Sequence, residues 1–567
     1  MPRTPRRARL PRALLLLALP LVANCVNPPS EPPREPETPK AVLVPGTGDY
    51  SRTISTDSAL AQQFFDQGLR LVYGYYFPEA AASFLEALRH DPHPMIEWGL
   101  ALSIGPNPNS RYFGATDDPL GEGRKAIERA QRTAIRGTEV ERDFIEALAV
   151  RFDVESHSDT ASRDAAYLES ARSLAERHPE DDDAGTLYAE AFMTSSPWRY
   201  WDREGKPAAG TLDAAQALER VMDRNVRHPG ANHLYIHLLE ASREPERALP
   251  QADRLADLMP NAGHIVHMPS HIYVRVGMYD KAIATNERSV AADETFLAAW
   301  GHVPFPTITT YPLSARIHAG HSMGFMRYVA TIQGNYDRAL EMARSAAALL
   351  LARMPLSATR VQRPVADVWL VHKIFGRWDA LLAEPGPPEA GHPYLDGIWH
   401  YTWGSAHAAR GEPGLARQEL AKVRTAAADP AIADLRVAAN PAPKLLKIAA
   451  FGLQGEIAQV AGDIDQSIDA FREAVRLEDS LGYIEPPAWS QPMRNYLGAA
   501  LLAARRPTEA ERVYRDDLAW NQENGWALYG LWQSLRDQDK TVEAEAVYTR
   551  FVEAWRGANV TLQASRF

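Results

Sequence analysis

The chain has 567 residues, 45% of them hydrophobic and 9% aromatic, a folded-protein composition that excludes an intrinsically disordered chain. This length exceeds one compact domain, so several domains or one extended repeat array is expected. A formal net charge of −11 argues against nucleic acid as a partner and against electrostatic docking on anionic lipid.

Residues 1–24 read as an export signal peptide. Arg3, Arg6, Arg7, Arg9 and Arg12, with no acid among them, precede an apolar run over 13–23 that is too short to span a bilayer as a helix. The stretch Leu21-Val22-Ala23-Asn24-Cys25 resembles a bacterial lipoprotein box, although a small Gly or Ala is usual where Asn24 stands. That resemblance implies acylation of Cys25; plain secretion with cleavage near Ala23 is the alternative. Cys25 is the only cysteine, so neither an intramolecular disulfide nor a thiolate metal site can form. Residues 25–50 follow as a tether, with six prolines between 28 and 40. The protein is thus expected to be exported, periplasmic or at the cell surface, and held to a membrane only by its lipid.

Small and large residues then recur in paired helical patterns. Across Phe64 to Pro92, the small Gly68, Ala80 and Ala87 alternate with Phe84 ahead of the closing Pro92. Ala248 and Ala282, and likewise Ala510 and Ala544, stand 34 residues apart, and no strand-like alternation competes. These features resemble the 34-residue tetratricopeptide repeat (TPR) over most of residues 55–557. The resemblance implies an all-α fold, a TPR α-solenoid in which helical hairpins form a right-handed superhelix with a concave groove. Three blocks follow: N-terminal TPR-like repeats (51–210), His-rich repeats (211–350) and C-terminal repeats (351–567). Three segments interrupt the array, a loop at 196–212 with two tryptophans, an inserted loop at 294–318 and a Pro/Gly connection at 384–393. Long loops of this kind often serve binding.

Eight of the 17 histidines fall between residues 233 and 321. When Arg243 and Gly277 are placed at position 15 of consecutive repeats, His233 and His267 both occupy position 5, and His237 and His271 both occupy position 9. Each pair is spaced i, i+4 on one helical face. In TPR proteins, positions 2, 5, 9, 12 and 13 of the first helix line the groove. By that resemblance His264, Glu240 and Arg275 point the same way, and His321 opens the next first helix at position 2 with His318 beside it. Groove positions are free of the core, so histidines there need a reason other than packing. Neutral imidazole ligates Zn, Cu or Fe, and a carboxylate can complete such a set. The His-x-x-x-His spacing resembles a zincin helix, but Leu234 stands where the catalytic Glu would be, which puts metalloprotease chemistry in doubt.

Two functions from different classes follow. One is a metal-binding protein or metalloenzyme built on His233, His237, Glu240, His264, His267, His271, His318 and His321, with Arg275 elsewhere in the groove; whether it is an enzyme stays open. The other is a metal-free scaffold that takes a peptide or partner protein in the groove. The TPR clamp for a C-terminal carboxylate uses Lys and Asn at positions 5 and 9, and His stands there instead. The segments HLYIHLLEAS and GHIVHMPSHIYVRVGMY resemble a group of bacterial exported TPR proteins. Their His-Asn-x-His stretch keeps both histidines here, as His318 and His321, and loses the Asn. Glu485, Trp489 and Arg494 are candidates for lining the same groove, although aromatics beside prolines are more often packing. His400 and His407 fall off the groove register. No phosphate loop, dinucleotide fingerprint or nucleophile elbow is present.

Overall fold

A computed structural model describes residues 40–109, 118–303 and 314–567. The expected signal peptide, Cys25 and the tether up to residue 39 lie outside them. Within the described residues, twenty-five α-helices follow one another. The first eight are α1 (Ala59–Tyr73), α2 (Phe77–His90), α3 (Pro94–Ile104), α4 (Pro119–Thr133), α5 (Glu139–Ala149), α6 (Thr160–Arg177), α7 (Asp182–Ser195) and α8 (Thr211–Arg224). The histidine-bearing stretch comprises α9 (Pro229–Leu239), α10 (Leu249–Leu258), α11 (Gly263–His267), α12 (Pro269–Arg275), α13 (Tyr279–Trp300), α14 (Ser314–Ile332) and α15 (Tyr336–Leu351). Then come α16 (Thr359–Ile374), α17 (Trp378–Ala383), α18 (Pro393–Ala409), α19 (Pro413–Ala427) and α20 (Ala442–Val460). The last five are α21 (Ile464–Asp479), α22 (Met493–Ala503), α23 (Pro507–Leu518), α24 (Gly525–Arg536) and α25 (Thr541–Ala554). A two-residue antiparallel pair, β1 (Arg436–Val437) with β2 (Asn440–Pro441), is the sheet among the described residues.

Helix starts follow local chemistry. Ser58 and Asp181 accept backbone N–H groups at the starts of α1 and α7, and Thr138 with Glu141 forms a capping box on α5. Consecutive helices then pack against one another as the repeat resemblance implies. The small positions carry that packing. Gly68 of α1 and Gly99 of α3 press on the ring of Phe84 in α2, where an added Cβ would come within 2.7 and 2.3 Å. Near the other end, Gly498 of α22 and Gly530 of α24 press on Tyr514 of α23, with corresponding distances of 2.3 and 2.2 Å. The fold is an all-α solenoid of TPR-type hairpins.

The apolar interior forms two continuous cores that meet in α14. Phe325, Tyr328, Val329 and Ile332 join the N-terminal core, whereas Ala330 joins the C-terminal one.

Two expectations change in detail. Residues 40–50 do not continue a solvated tether. Ala41 and Val44 are buried, Val44 N donates to Gln67 Oε1 at 2.7 Å, and Asn261 N donates to Gly46 O at 2.9 Å. Apolar side chains and a satisfied backbone dock this piece onto the solenoid. The loop expected over 294–318 is shorter than that span, because α13 runs on to the buried Trp300 and helix resumes at Ser314.

The concave face is also not open at the histidine repeats. From the N-terminal side, Tyr76 Oη donates to Asp293 Oδ1 at 2.6 Å. From the C-terminal side, Arg275 Nη1 donates to Trp520 O at 2.5 Å and Tyr279 Oη to Gln522 O at 2.6 Å. Trp526 Nε1 donates to Thr331 O at 2.8 Å. The superhelix therefore folds its own first and last repeats over α9–α14.

Overpacking the hairpin contact should destabilise the array. Gly530→Val is expected to cost about 1–3 kcal/mol in a thermal melt followed by circular dichroism. Gly414→Ala, where an added Cβ meets nothing within 4 Å, should leave the melt unchanged or raise it.

Candidate metal centre

All eleven residues of α9 are buried, so its two histidines sit in the interior rather than on a rim. His228 starts the helix by accepting Ala231 N at 3.1 Å, and Glu240 continues it as the C-terminal cap. In the next repeat the first helix is divided at Met268-Pro269, where proline supplies no N–H, into α11 with His264 and His267 and α12 with His271. His318 and His321 come from α14.

These elements bring His233, His237, His264, His267, His271, His318 and His321 into one contiguous cluster. Neighbouring ring centroids lie 4.7 to 5.5 Å apart. Three sets have candidate ligand atoms mutually within 4.8 Å: His233, His237 and His264; His267, His271 and His321; and His237, Glu240 and His271.

Hydrogen bonds fix the tautomers. Asn286 Nδ2 donates to Ala282 O at 2.8 Å, which turns Asn286 Oδ1 toward His267 Nδ1 at 2.6 Å as an acceptor. His267 therefore carries its proton on Nδ1 and presents a bare Nε2. His233 Nδ1 likewise donates to Tyr73 O at 2.6 Å. Glu240 faces two repeats at once: Oε1 accepts from His237 Nδ1 at 3.2 Å, and Oε2 forms a close ion-pair contact with His271 Nδ1. Glu485 Oε2 adds a second carboxylate 3.4 Å from His271 Nδ1, and His318 Nδ1 faces Asp293 Oδ2 at 3.2 Å.

The Nε2 atoms that remain converge. His267 Nε2 and His271 Nε2 lie 3.0 Å apart, and His233 Nε2 and His264 Nε2 lie 3.1 Å apart. His237 Nε2 and His318 Nε2 are buried without a hydrogen-bond partner. In the first pair both Nδ1 atoms already face acceptors, so in the neutral rings two lone pairs point at each other. A proton or a metal ion must relieve that. Two nitrogens bound to one tetrahedral zinc at 2.0–2.1 Å sit about 3.3 Å apart, close to both observed separations. His264 can instead donate Nε2–H to His233.

Burial first, and neighbouring imidazoles next, hold His233, His264, His267 and His321 well below the ordinary imidazole value. Burial also lowers His237, against the pull of Glu240. His271 goes the other way: burial opposes its charge, but Glu240 outweighs burial and raises it. Burial pushes the Glu240 carboxyl up, and the His271 charge with the His237 and His271 hydrogen bonds brings it below the usual carboxylate range. Burial raises Glu485, and Glu240 adds to that while His271 opposes it.

Aromatic rings close the cluster. Tyr75 lies 4.4 Å from His233 and stacks 5.4 Å from His264, and Trp198 of the two-tryptophan loop lies 5.2 Å from His237. Both adopt left-handed backbone, at φ 59° and 62°, which is costly for bulky side chains and recurs at functional sites.

The seven histidines and Glu240 thus stand together as the repeat register places them, but inside the protein rather than along an open groove. Arg275 stays apart from the imidazoles. Its guanidinium donates to Glu240 O at 2.9 Å, Ser242 O at 3.0 Å and Trp520 O, and so ties the two histidine repeats to the C-terminal half. His400 and His407 lie elsewhere, paired with Glu419 and Glu412. Sequence reasoning missed Asn286, Tyr73, Tyr75 and Asp293, and it favoured packing over the groove for Glu485.

No protein-family model and no curated protein matches the chain. Solved structures similar to it include a human IFIT1 dimer with m7Gppp-AAAA, at 11% identity over 88% of this chain and 90% of that one, TM-score 0.32. An APC/C hetero-tetramer, Cut9-Hcn1, is also similar, at 11% identity over 88% of each chain and TM-score 0.28. Both scores are low, and the fold assignment rests on the hairpin packing described above.

The buried neutral imidazoles set a pH dependence for metal-free protein. Below about pH 6.5 the unfolded chain binds protons that the five lowered histidines refuse when folded, so stability is complete above that pH and falls as pH drops. His271, being raised, opposes this as one group against five. Melting temperature is expected to be lower at about pH 5 than at about pH 7.5. A melting temperature that is constant or rises on acidification would show that these rings are not held neutral.

Proposed function

We propose that the protein binds divalent transition-metal ions, Zn, Cu or Fe, at a histidine centre enclosed by the solenoid, as a metal-binding protein or metalloenzyme. The observation that carries this reading is the His267–His271 pair, with His267 Nδ1 bonded to Asn286, His271 Nδ1 set against the Glu240 and Glu485 carboxyls, and both Nε2 atoms turned on each other. The all-imidazole donor set suits these borderline metals. Asn286, Glu240 and the Tyr73 carbonyl stand as outer-shell partners that orient ligating rings in metal sites. A second position is formed by His233, His237 and His264, so up to two ions are expected per chain. The competing reading, a peptide held along the histidine stretch, has less support, because this chain's own aromatic residues and its C-terminal segment already cover those side chains.

Metal analysis of untagged protein grown with zinc, copper and iron available is the direct test. The wild type is expected to retain metal through gel filtration, and His237→Ala combined with His271→Ala to lose it while staying helical. Asn286→Ala should weaken binding about 10–100-fold, as loss of an outer-shell partner does. Wild-type protein that emerges metal-free, and takes up none of the three metals on titration, would return the cluster to the scaffold reading.

Export and acylation remain a proposal founded on residues 1–25. Cys25→Ser should move the protein from the membrane fraction to the soluble one; wild type that already fractionates as soluble would refute the anchor.

A further inference from the structure

Beside the histidine centre, between the two-tryptophan loop and the segment 478–494, lies a cavity of about 590 Å³. Glu485 belongs to both sites: it lines the cavity and stands 3.4 Å from His271. The volume falls within the roughly 300–1,000 Å³ of small-molecule sites.

Five cations, Arg199, Arg203, Lys206, Arg275 and Arg494, line the cavity together with five acids, Asp202, Glu478, Asp479, Glu485 and Asp517. The guanidiniums of Arg203, Arg243 and Arg275 lie 5.4, 4.9 and 4.0 Å from the ring of a single residue, Trp520. One carboxylate, Asp479, serves two of these cations, Arg203 at 2.7 Å and Arg494 at 2.6 Å. Arg275 donates to the backbone carbonyls of Glu240, Trp520 and Ser242, and Arg243 donates to Arg203 O at 2.9 Å. Among the described residues neither forms an ion pair. Burial, then the charges of Arg203, Arg275 and Arg494, pushes the Arg243 value down, as expected of crowded like charges. The acids on the wall offset less than their number suggests: burial raises Glu478 to about 7 and also raises Asp517.

Aromatic residues also line it, among them Trp201, Tyr279, Tyr328, Tyr483, Trp489 and Trp520. Guanidinium groups on aromatic faces are partly desolvated and pair well with planar oxyanions. Asp479 already shows what chemistry two of them take. We propose that this cavity binds a small molecule bearing an oxyanion, a carboxylate or a phosphate, on a planar or aromatic body. The inference stands on the cavity alone and does not require the neighbouring metal.

Tryptophans on the wall provide the readout. Untagged protein is titrated with benzoate, phenyl phosphate and the neutral benzamide, and tryptophan fluorescence is followed. Saturable quenching by benzoate or phenyl phosphate, with benzamide at least about tenfold weaker, is expected, since a hydrogen bond to a charged partner is worth at least that factor. The stronger of the two anions identifies the oxyanion. Arg203→Gln with Lys206→Gln should weaken the anion about tenfold or more. Arg199→Gln, at an exposed position, should weaken it in the same direction and guards against misfolding of the double variant. Binding should persist in the His237→Ala, His271→Ala protein, which separates this result from the metal test. Failure of both anions to quench saturably, equal binding of benzamide, or indifference to the arginine substitutions would overturn the proposal.

Discussion

A buried imidazole has two nitrogens to satisfy, and in this protein five such rings cluster with two half-buried ones, His318 and His321. Leaving a buried polar atom unpaired costs on the order of 1–3 kcal/mol, so a cluster of this size must be held by dedicated acceptors. The chain supplies them on one side only. The Tyr73 carbonyl, Glu240, Asn286 and Asp293 take the Nδ1 side of five rings. The Nε2 side is left to the rings themselves, in two imidazole–imidazole contacts at 3.0 and 3.1 Å, with His237 Nε2 and His318 Nε2 unpartnered. A core selected for stability alone would satisfy both nitrogens or replace the rings with apolar side chains.

The closure of the solenoid follows from the same requirement. Histidines on an open groove would be hydrated, and their Nδ1 atoms would need no particular partner. Here the Tyr73–Tyr76 turn from the first repeat and residues 483–485 and 520–522 from the last repeats reach the centre across more than 150 residues of chain. The left-handed backbone at Tyr75 and Trp198 fits this picture, since each places an aromatic ring against the imidazoles at a local conformational cost. Such strain persists where surrounding contacts over-determine it, and both residues sit where distant repeats converge.

Much of this was legible in the sequence, and the part that was not has a physical explanation. Gly68, Phe84 and Ala87 reveal the hairpin because repeat packing is local, and the structure shows the contact directly as Gly68 and Gly99 pressed on Phe84. The recurrence of His at positions 5 and 9 places four ligand candidates together because adjacent repeats repeat their geometry. The acceptors behave differently. Asn286 and Asp293 lie on α13, the second helix of a hairpin, where register rules for the groove are silent. Glu485 is some 200 residues from His271 in sequence and meets it only through superhelical closure. For Arg275 the register gave the right face but not its use, because it binds carbonyls of the chain instead of a ligand. The repeat periodicity thus encodes the placement of the histidines, and the tertiary closure encodes their orientation.

Glu240 shows how the two levels join. It occupies position 12 of one repeat and faces position 9 of its own helix and position 9 of the next. A carboxylate with two oxygens can orient two imidazoles on neighbouring helices only if those helices keep a fixed spacing, and the hairpin packing supplies that spacing. Its negative charge, buried and shared, also favours any cation that the two Nε2 atoms could hold, be it proton or metal. Adding Glu485 on the far side of His271 places a second carboxyl against the same ring, and that carboxyl faces the arginine-lined cavity. His271 is therefore the ring at which the histidine cluster meets the carboxyl shared with the cavity.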